Sequence, residues 1–302
     1  MNNDILNKYN FDANKIIQDT LFYKPITFFD ENKIFPVRVK DFSFFTENYA
    51  KYIVTNTNHL GIEKDSNLLA NIITKFTLFN QMEKDNKLNN EVFQSSKIKE
   101  EAFPFEESTK KHKKNTQQNE KNIQIKEENI IEELNNFASM LEMIFQKKVK
   151  FKLNVLGFDI LNEDGSYSFF GNNEFLLFRE IVMIQNILQE PKQYHDKILE
   201  EWVNRAKKAR EDKNVTFNDL IISVKNYNKI SYKEIGEMNI LQFYSDYRNY
   251  GHEKNFDASV LFKTVDGKSK IPSLIGAIIK ELYDNSDDNL FINQSSIENK
   301  LK

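Results

Sequence analysis

The first third of the chain alternates between short β-rich runs and stretches with helical spacing of apolar residues. The segment to about Asp19 has weak helical spacing. In YKPITFFDENKIFPVRVKDFSFF, the runs Ile26–Phe29 and Ile34–Val39 flank a polar turn, a pattern that predicts a β-hairpin. Apolar residues then recur at helical spacing over 45–53 and 69–79, which predicts two helices that face a core.

The second half is patterned more strongly. Apolar residues recur every three or four positions from Glu127 to Gln146 and predict a helix. KVKFKLNVLGFDILNEDGSYSFFG alternates apolar and polar residues, which predicts a second hairpin with Asp164-Gly165 as a type I′ turn. Further helices are predicted from Asn172 or Asn173 to the Glu190-Pro191 break, over HDKILEEWVNRAKKAR, after Thr216, and over residues 238–250, 257–265 and 272–282.

This order of elements predicts an α+β fold that is mostly α-helical, with two short β-hairpins each followed by helices. Residues 94–128 interrupt it with a polar, highly charged segment, which cannot bury enough apolar surface to offset its chain entropy. We therefore expect four regions. They are an N-terminal hairpin plus helices (1–93), a charged flexible linker or excursion (94–128), a helical C-terminal lobe with a β-hairpin (129–285) and a polar tail (286–302).

Composition excludes several classes of protein. The chain of 302 residues has 42 lysines and arginines against 45 acids, a formal charge of −3, so no global field attracts nucleic acid or an anionic membrane. It has no cysteine, which excludes disulfides, thiolate metal sites and a cysteine nucleophile. We find neither a leader sequence nor a run of about 18 apolar residues, so we expect an unprocessed protein inside a cell, with no membrane contact.

Motifs for metal and phosphate chemistry are missing. The histidines are His59, His112, His195 and His252, and none has a second histidine at the helical spacing of a metal motif such as HExxH. Neither GxGxxG nor GxxxxGK[ST] occurs among the 8 glycines, and we expect VDGKSK, from Val265 to Lys270, to be a turn. We therefore expect no metal and no cofactor.

Paired charges also give no catalytic set. Arg179 and Glu180 interrupt an apolar helix and could form a buried ion pair, but we expect them at the edge of the polar stripe of that helix. The sequence therefore predicts a protein that is not an enzyme and has no catalytic residues. A site assembled from residues distant in sequence stays open.

One basic patch stands out within the charged segment. It could contact phosphates or an acidic partner, or be a solvated charge run balanced by neighbouring glutamates. Its residues are Lys110, Lys111, His112, Lys113 and Lys114.

The stretch NYNKISYKEIGEMNILQFYSDYRNYGHEKNFDASVLFKT is rich in tyrosine. A helix that begins near Asn239 would place aromatic residues along one stripe, and tyrosine suits half-buried positions and protein interfaces. Mixed charges nearby disfavour a base-stacking surface. The candidate interface residues are Phe243, Tyr244, Tyr247, Tyr250, Trp202 and Phe35.

Two stretches resemble a group of bacteriophage proteins. YKPITFFDENKIFPVRVKDFSFF is similar to the opening of that group, where a strand pair ending in YPV, a charged residue and an aromatic leads into helices. Residues 175–265 resemble its C-terminal half, which has an EPK break, a helix with tryptophan and basic residues, a TFNDLI helix and a QFY helix. The group occurs in contractile-tailed phages of Gram-positive bacteria and is described as baseplate hub or tail assembly protein.

The resemblance implies a non-enzymatic structural or assembly protein of a contractile tail, most specifically at the hub or wedge region of the baseplate. Its partners would be other tail or baseplate proteins and further copies of itself, and nucleic acid is not expected. It would lie in the bacterial host cytoplasm during assembly, and in the virion tail if structural. The alternative is a nucleic-acid-binding or regulatory module that uses KKHKK and the tyrosine-rich helix, with salt-dependent binding.

Overall fold

The computed structural model describes residues 3–55, 131–152, 157–192, 194, 196–210 and 215–284. The protein is mostly helical with two small antiparallel sheets, which confirms the predicted α+β class. The predicted helix over 69–79, the charged segment 94–128 with its basic patch, and the tail 286–302 lie outside the described residues.

The described elements follow in this order along the chain. The N-terminal part contains α1 (Asn3–Lys8), α2 (Ala13–Leu21), β1 (Ile26–Thr27), β2 (Lys33–Ile34), α3 (Val39–Asn48) and α4 (Ala50–Val54). A helix over residues 131–145, here α5, precedes β3 (Val149–Lys152), β4 (Gly157–Leu161) and β5 (Tyr167–Phe170). The remaining helices are α6 (Asn172–Gln185), α7 (Lys197–Arg210), α8 (Phe217–Asn228), α9 (Tyr232–Glu237), α10 (Ile240–Val265) and α11 (Ile278–Tyr283).

The chain divides into two compact units. Unit 1 contains residues 1–27, 33–54 and 179–302, and unit 2 contains residues 28–32 and 55–178. The predicted domains divide the chain differently, because the N-terminal residues group with the C-terminal helices and form no lobe of their own.

In unit 1, the segment after the first hairpin pairs with the segment before α10. The amide of Val39 donates to the carbonyl of Met238 at 2.9 Å, and the amide of Ile240 donates to the carbonyl of Val37 at 3.3 Å. The predicted hairpin is present, but its second strand ends at Ile34. Pro36 has no amide hydrogen to continue that ladder, so residues 37–39 pair elsewhere.

Asn239 holds this junction together and is fully buried. Its side-chain oxygen caps α10 by accepting from the amide of Gln242 at 2.9 Å, as the predicted helix start requires. Its side-chain amide donates to the carbonyl of Thr20 at 2.7 Å, and the Gln242 side chain donates to the carbonyl of Leu21 at 2.8 Å. A single asparagine therefore connects the end of α2 to the start of α10.

A hydrophobic cluster forms around this junction. Helix α9, which the sequence pattern did not predict, begins with a capping box between Ser231 and Glu234 and buries Ile235. Helix α8 begins with a capping box at Thr216, as predicted, and buries Val224. The buried members of the cluster are Val39, Val224, Ile235, Ile240 and Phe243, with half-buried neighbours that include Phe42, Phe217, Leu220 and Ile221.

Unit 2 contains a three-stranded antiparallel sheet in the order β3-β4-β5, where the sequence predicted a two-stranded hairpin. The predicted type I′ turn is also wrong, because that turn needs two positive φ angles and only Gly165, at φ 81°, has one. The inner face of the sheet is strongly aromatic. Its rings pack with rings from α5, α6 and the 28–32 loop, namely Phe28, Phe29, Phe137, Phe145, Phe158, Phe170, Phe175 and Phe178.

A lysine fixes the 28–32 loop within unit 2. The ammonium group of Lys147 donates to Oδ1 of Asn32 at 2.7 Å and to Oδ1 of Asn162 at 2.9 Å. Asn32 is fully buried, and Asn162 donates in turn to the hydroxyl of Ser168 at 2.8 Å. These bonds tie the loop to the turn between β4 and β5.

The expectation for Arg179 and Glu180 is wrong. Both are buried, with 9% and 1% of their surface exposed, because α6 is buried on every side from Leu177 to Gln185 and has no exposed stripe there. The Arg179 guanidinium lies 3.5 Å from the Glu180 carboxylate and 2.5 Å from that of Glu190, and it donates to the carbonyl of Ile53. These contacts compensate a charge whose burial would otherwise be costly.

Gly157 provides a test of packing in unit 2. A Cβ atom there would lie 2.4 Å from Cζ of Phe169 and 2.8 Å from the carbonyl oxygen of Phe170. We expect Gly157→Ala to lower the free energy of unfolding by about 1–3 kcal/mol in urea denaturation, as overpacking does. At Gly251, in α10, nothing lies within 4 Å of a new Cβ, so Gly251→Ala should be neutral or stabilising. Equal effects of the two substitutions would contradict this packing.

Asn239 provides a test of the junction in unit 1. Asn239→Asp keeps the oxygen that caps α10 but leaves the buried carbonyl of Thr20 without its donor. We expect a loss of about 2 kcal/mol or more in the free energy of unfolding. Ser231→Ala removes a capping side chain alone and should cost about 1 kcal/mol. The role of Asn239 is refuted if thermal and urea denaturation give it the smaller effect.

Candidate functional site

Helix α10 is longer than the sequence analysis predicted. The helices expected over 238–250 and 257–265 are one helix of 26 residues, which passes through Gly251 without a break. One stripe along it repeats with alternating steps of four and three residues, the spacing of a helix face that packs on a partner. The stripe consists of Ile240, Tyr244, Tyr247, Gly251, Lys254, Ala258, Leu261 and Val265.

The first half of α10 is a packing face within unit 1. Phe243 is fully buried and its ring centroid lies 5.4 Å from that of Phe217, so its assignment to an exposed interface is wrong. Tyr244 is half-buried between Phe42 and Phe217, and burial raises the pKa of its hydroxyl. Tyr247 is half-buried against the same cluster. These rings fill a core edge because α3 and α8 cover them.

Polar contacts join the end of α8 to the middle of α10. The Tyr227 hydroxyl donates to the Glu253 carboxylate at 2.6 Å and accepts from the Asn249 amide at 3.0 Å. The ring centroid of Tyr227 lies 5.0 Å from that of Tyr250, the last of the four candidate interface residues on this helix. The hydrogen bond to Glu253 raises the pKa of the Tyr227 hydroxyl. These contacts fix the direction in which α10 continues.

A second pair at the same contact holds a half-buried carboxylate. The Asn228 side chain donates to Oδ2 of Asp246 at 2.5 Å. Burial raises the pKa of the Asp246 carboxyl, and the hydrogen bond from Asn228 opposes that shift. Ionisation of the Asp246 carboxyl is therefore less favourable here than in solvent.

The last 12 residues of α10 extend beyond α8, which ends at Asn228 and is followed by Lys229 in a left-handed conformation. At 1.5 Å per residue, this extension is about 18 Å long. Its apolar side chains are exposed, with 69% of the surface of Leu261, 69% of Phe262 and 88% of Val265 accessible. With Ala258, these three residues form what we call the tip stripe.

The chain that follows α10 turns back and contacts the helix at Lys263 and at His252. The chain turns at Asp266–Ser269, where Asp266 accepts from the Lys268 amide, so the turn predicted for VDGKSK is confirmed. Gly276 then lies against the ring of His252, which also contacts the Glu281 carboxylate at 2.9 Å. The returning segment thus holds α10 at His252, while all residues from 261 to 265, including those of the tip stripe, are exposed.

No described contact connects the other predicted site residues with the tip stripe. Trp202 is 63% exposed on α7, next to Ile198 at 67%. Phe35 is half-buried after β2. The basic patch of residues 110–114 lies outside the described residues, so its assignment stays a prediction.

An open groove of about 710 Å³ lies beside the Asn239 junction and is lined by Tyr23, Ser231, Lys233, Glu234, Glu237, Met238 and Gln242. Two of its charged groups, Glu234 and Glu237, already have partners within the protein. Glu237 forms ion pairs with Arg38 and Lys40, and the hydrogen bond from Lys40 lowers the pKa of the Glu237 carboxyl. The Tyr23 hydroxyl accepts from Arg38. We therefore assign these groups to the junction and not to a ligand.

The described residues hold no group of three or more histidine, aspartate or glutamate side chains that could bind a metal ion. In the same part of the chain, no helix is both long enough and apolar enough to cross a membrane.

One comparison with known proteins matches the region of the chain that contains α10. The family model described as YomV second domain matches residues 207–273, which include α8, α9 and α10. The SPbeta prophage-derived uncharacterized protein YomV of Bacillus subtilis (strain 168) is 26% identical over 113 residues, which are 37% of this chain. The match covers 48% of YomV, about half of its length. No solved structure matches the chain.

This weak similarity supports a phage origin and suggests a phage-associated role for the chain. Neither match names a tail or a baseplate. Leu261, Phe262 and Val265 are not among the predicted site residues, because the tyrosine-rich helix was predicted to end near Tyr250. The four-and-three spacing that continues from Ile240 to Val265 is the signal that could have found them.

Asp246 provides a test of the α8–α10 contact. Because burial raises its folded-state pKa, its contribution to stability is largest at low pH and is lost as pH rises through that pKa. We expect Asp246→Asn to be more stable than the parent protein at pH 7, with a difference that shrinks towards about pH 4. Urea denaturation across this pH range measures it.

Asp219 is the matched control with the opposite sign. Its hydrogen bonds with Thr216 lower the pKa of its carboxyl, so its contribution is present at neutral pH and is lost on acidification. Asp219→Asn should therefore destabilise the protein at pH 7 and have little effect in acid. An Asp246→Asn protein that is less stable at pH 7 would contradict the account of this contact.

Proposed function

We propose that the protein is a non-enzymatic structural or assembly component of a phage tail, most specifically at the baseplate, and that the tip stripe of α10 binds another tail protein. The observation that carries the proposal is the exposure of Leu261, Phe262 and Val265 on a helix held in place by α8 and by the returning segment. Exposed apolar surface of several hundred Å², concentrated in one patch, is typical of interaction sites.

Two further observations support a protein partner. The tip stripe lies within the region that matches a domain of a prophage-derived protein. Its apolar residues repeat at positions 258, 261, 262 and 265, the spacing with which one helix packs against another. A partner helix with its own apolar stripe would bury these side chains and gain hydrophobic free energy roughly in proportion to the area covered.

The aromatic residues of the first half of α10 do not favour the alternative, a nucleic-acid-binding module based on that helix. Phe243 is buried, and Tyr244 and Tyr247 pack against the core cluster. Rings in such positions have no exposed face on which a base could stack.

The tip stripe can be tested by substitution. We expect Leu261→Ser together with Phe262→Ser to remove the protein from tail assemblies separated on a density gradient from phage-producing cells. Because both side chains are exposed, the free energy of unfolding should change by no more than about 0.5 kcal/mol each. Mass spectrometry of the gradient fractions measures the amount of protein that travels with the particles.

Phe22 is the matched control, because it is 68% exposed and Phe262 is 69% exposed. Phe22→Ser should leave the gradient profile unchanged. Presence in assembling extracts but absence from finished tails would indicate an assembly factor, and presence in finished tails a structural component. The proposal would be refuted if the parent protein were absent from both the assembling extracts and the finished tails.

A further inference from the structure

The sheet of unit 2 has an outer face that differs in character from its aromatic inner face. Side chains alternate along each strand, so every second residue of β3, β4 and β5 points outward. Val149, Ile160 and Ser168 are paired across the sheet and buried. The neighbouring residues on the three strands, Lys150, Asp159 and Phe169, are also paired across the sheet and lie on the opposite, outer face.

Three lysines form a row along one edge of this outer face. Lys150 and Lys152 alternate with buried or half-buried residues of β3, and Lys148 extends the row because its carbonyl accepts from the amide of Leu161 at 2.9 Å. The Lys148 side chain is 79% exposed and that of Lys152 is 49% exposed. Two residues of strand separate neighbouring lysines, which places them about 7 Å apart.

Two aromatic residues form a parallel row on β5. Tyr167 is 56% exposed and Phe169 is 39% exposed, and they are also two residues apart. Since β4 lies between β3 and β5, the aromatic row and the lysine row are separated by about 10 Å across the sheet.

The Phe169 ring packs directly on the backbone at two glycines, where any side chain would clash with it. The nearest atoms to a Cβ built at Gly157 and at Gly171 are carbons of this ring, at 2.4 Å and 2.8 Å. Two glycines therefore allow the ring to rest against the backbone of the sheet, with 39% of the Phe169 surface exposed. An aromatic ring supported in this way is preorganised as a stacking platform.

The lysines along β3 favour an anionic ligand at that edge of the face. Asp159, the acid in these rows, is engaged by Lys152 at 3.0 Å, and its side chain is 18% exposed. Lys148 lies 3.9 Å from Glu142, a loose contact at the rim. Lys150 adds a third positive charge. It is paired across the sheet with Asp159, which is paired in turn with Phe169.

We propose that this outer face binds single-stranded nucleic acid, with successive bases stacked on Tyr167 and Phe169 and the phosphates along Lys148, Lys150 and Lys152. A row of aromatic rings beside a row of basic side chains is the arrangement with which proteins hold single strands without sequence preference. The surface belongs to unit 2 and shares no residue with KKHKK, the tyrosine-rich helix or the tip stripe. The proposal is thus independent of the proposed tail interface.

The test measures binding of the full-length protein to a fluorescein-labelled thymidine 20-mer by anisotropy, at about 50 mM salt and protein up to about 100 μM, the weak limit of non-specific affinities. Tyr167→Ala should weaken binding by about 5- to 150-fold. Replacing the three lysines by glutamine should reduce the slope of log affinity against log salt by about 2.

Matched controls come from unit 1. Tyr232 is 59% exposed, so Tyr232→Ala removes a similar aromatic ring. Lys15, Lys33 and Lys280 are exposed lysines, and replacing these three by glutamine makes the same change in net charge. Neither control should alter the affinity, and circular dichroism should show that all variants remain folded. The Leu261→Ser, Phe262→Ser protein should bind the oligonucleotide as the parent does.

Three results would overturn the proposal. They are no change in anisotropy at the highest protein concentration, an equal loss in the controls and the Tyr167 and lysine variants, and equal competition by polyglutamate at the same charge concentration. The last result would show that the face responds to charge alone and could bind an acidic protein.

Discussion

The buried hydrogen bonds of Asn239 are the constraint on which unit 1 depends. Its side chain caps α10 and reaches the carbonyl of Thr20, while the residues on either side pair with Val37 and Val39. Groups at 20, 37–39 and 238–240 are far apart in sequence, and these contacts join the N-terminal segment and the C-terminal helices in one compact unit. The direction of α10, and with it the position of the tip stripe, follows from this junction.

The sequence predicts features that depend on neighbouring residues. Thr216 caps α8, as predicted, and α10 begins next to Asn239, where a helix start was predicted, because a capping side chain acts on an amide only two or three residues away. The turn at Asp266 is local for the same reason. The alternation in KVKFK likewise predicts a strand, and β3 is present.

Features that depend on distant packing could not be predicted in this way. The surroundings of Phe243 are set by Phe217 and Val39, and the burial of Arg179 is set by Ile53 and Glu190. The third strand and the platform of Phe169 over Gly157 and Gly171 require the register of the sheet. An aromatic residue has the same letter in a core and on a surface, so neither Phe243 nor Phe262 could be placed from the sequence.

The two units present different chemistry for binding, apolar in the tip stripe of unit 1 and aromatic with lysines on the sheet of unit 2. In the proposed function, the tip stripe has the central role. Photo-crosslinking from benzoylphenylalanine at position 262 in phage-producing cells tests this role most directly, with position 22 as the comparison. We predict a cross-link to a tail or baseplate protein from position 262 alone. The absence of such a product, or the same products from both positions, would contradict the account.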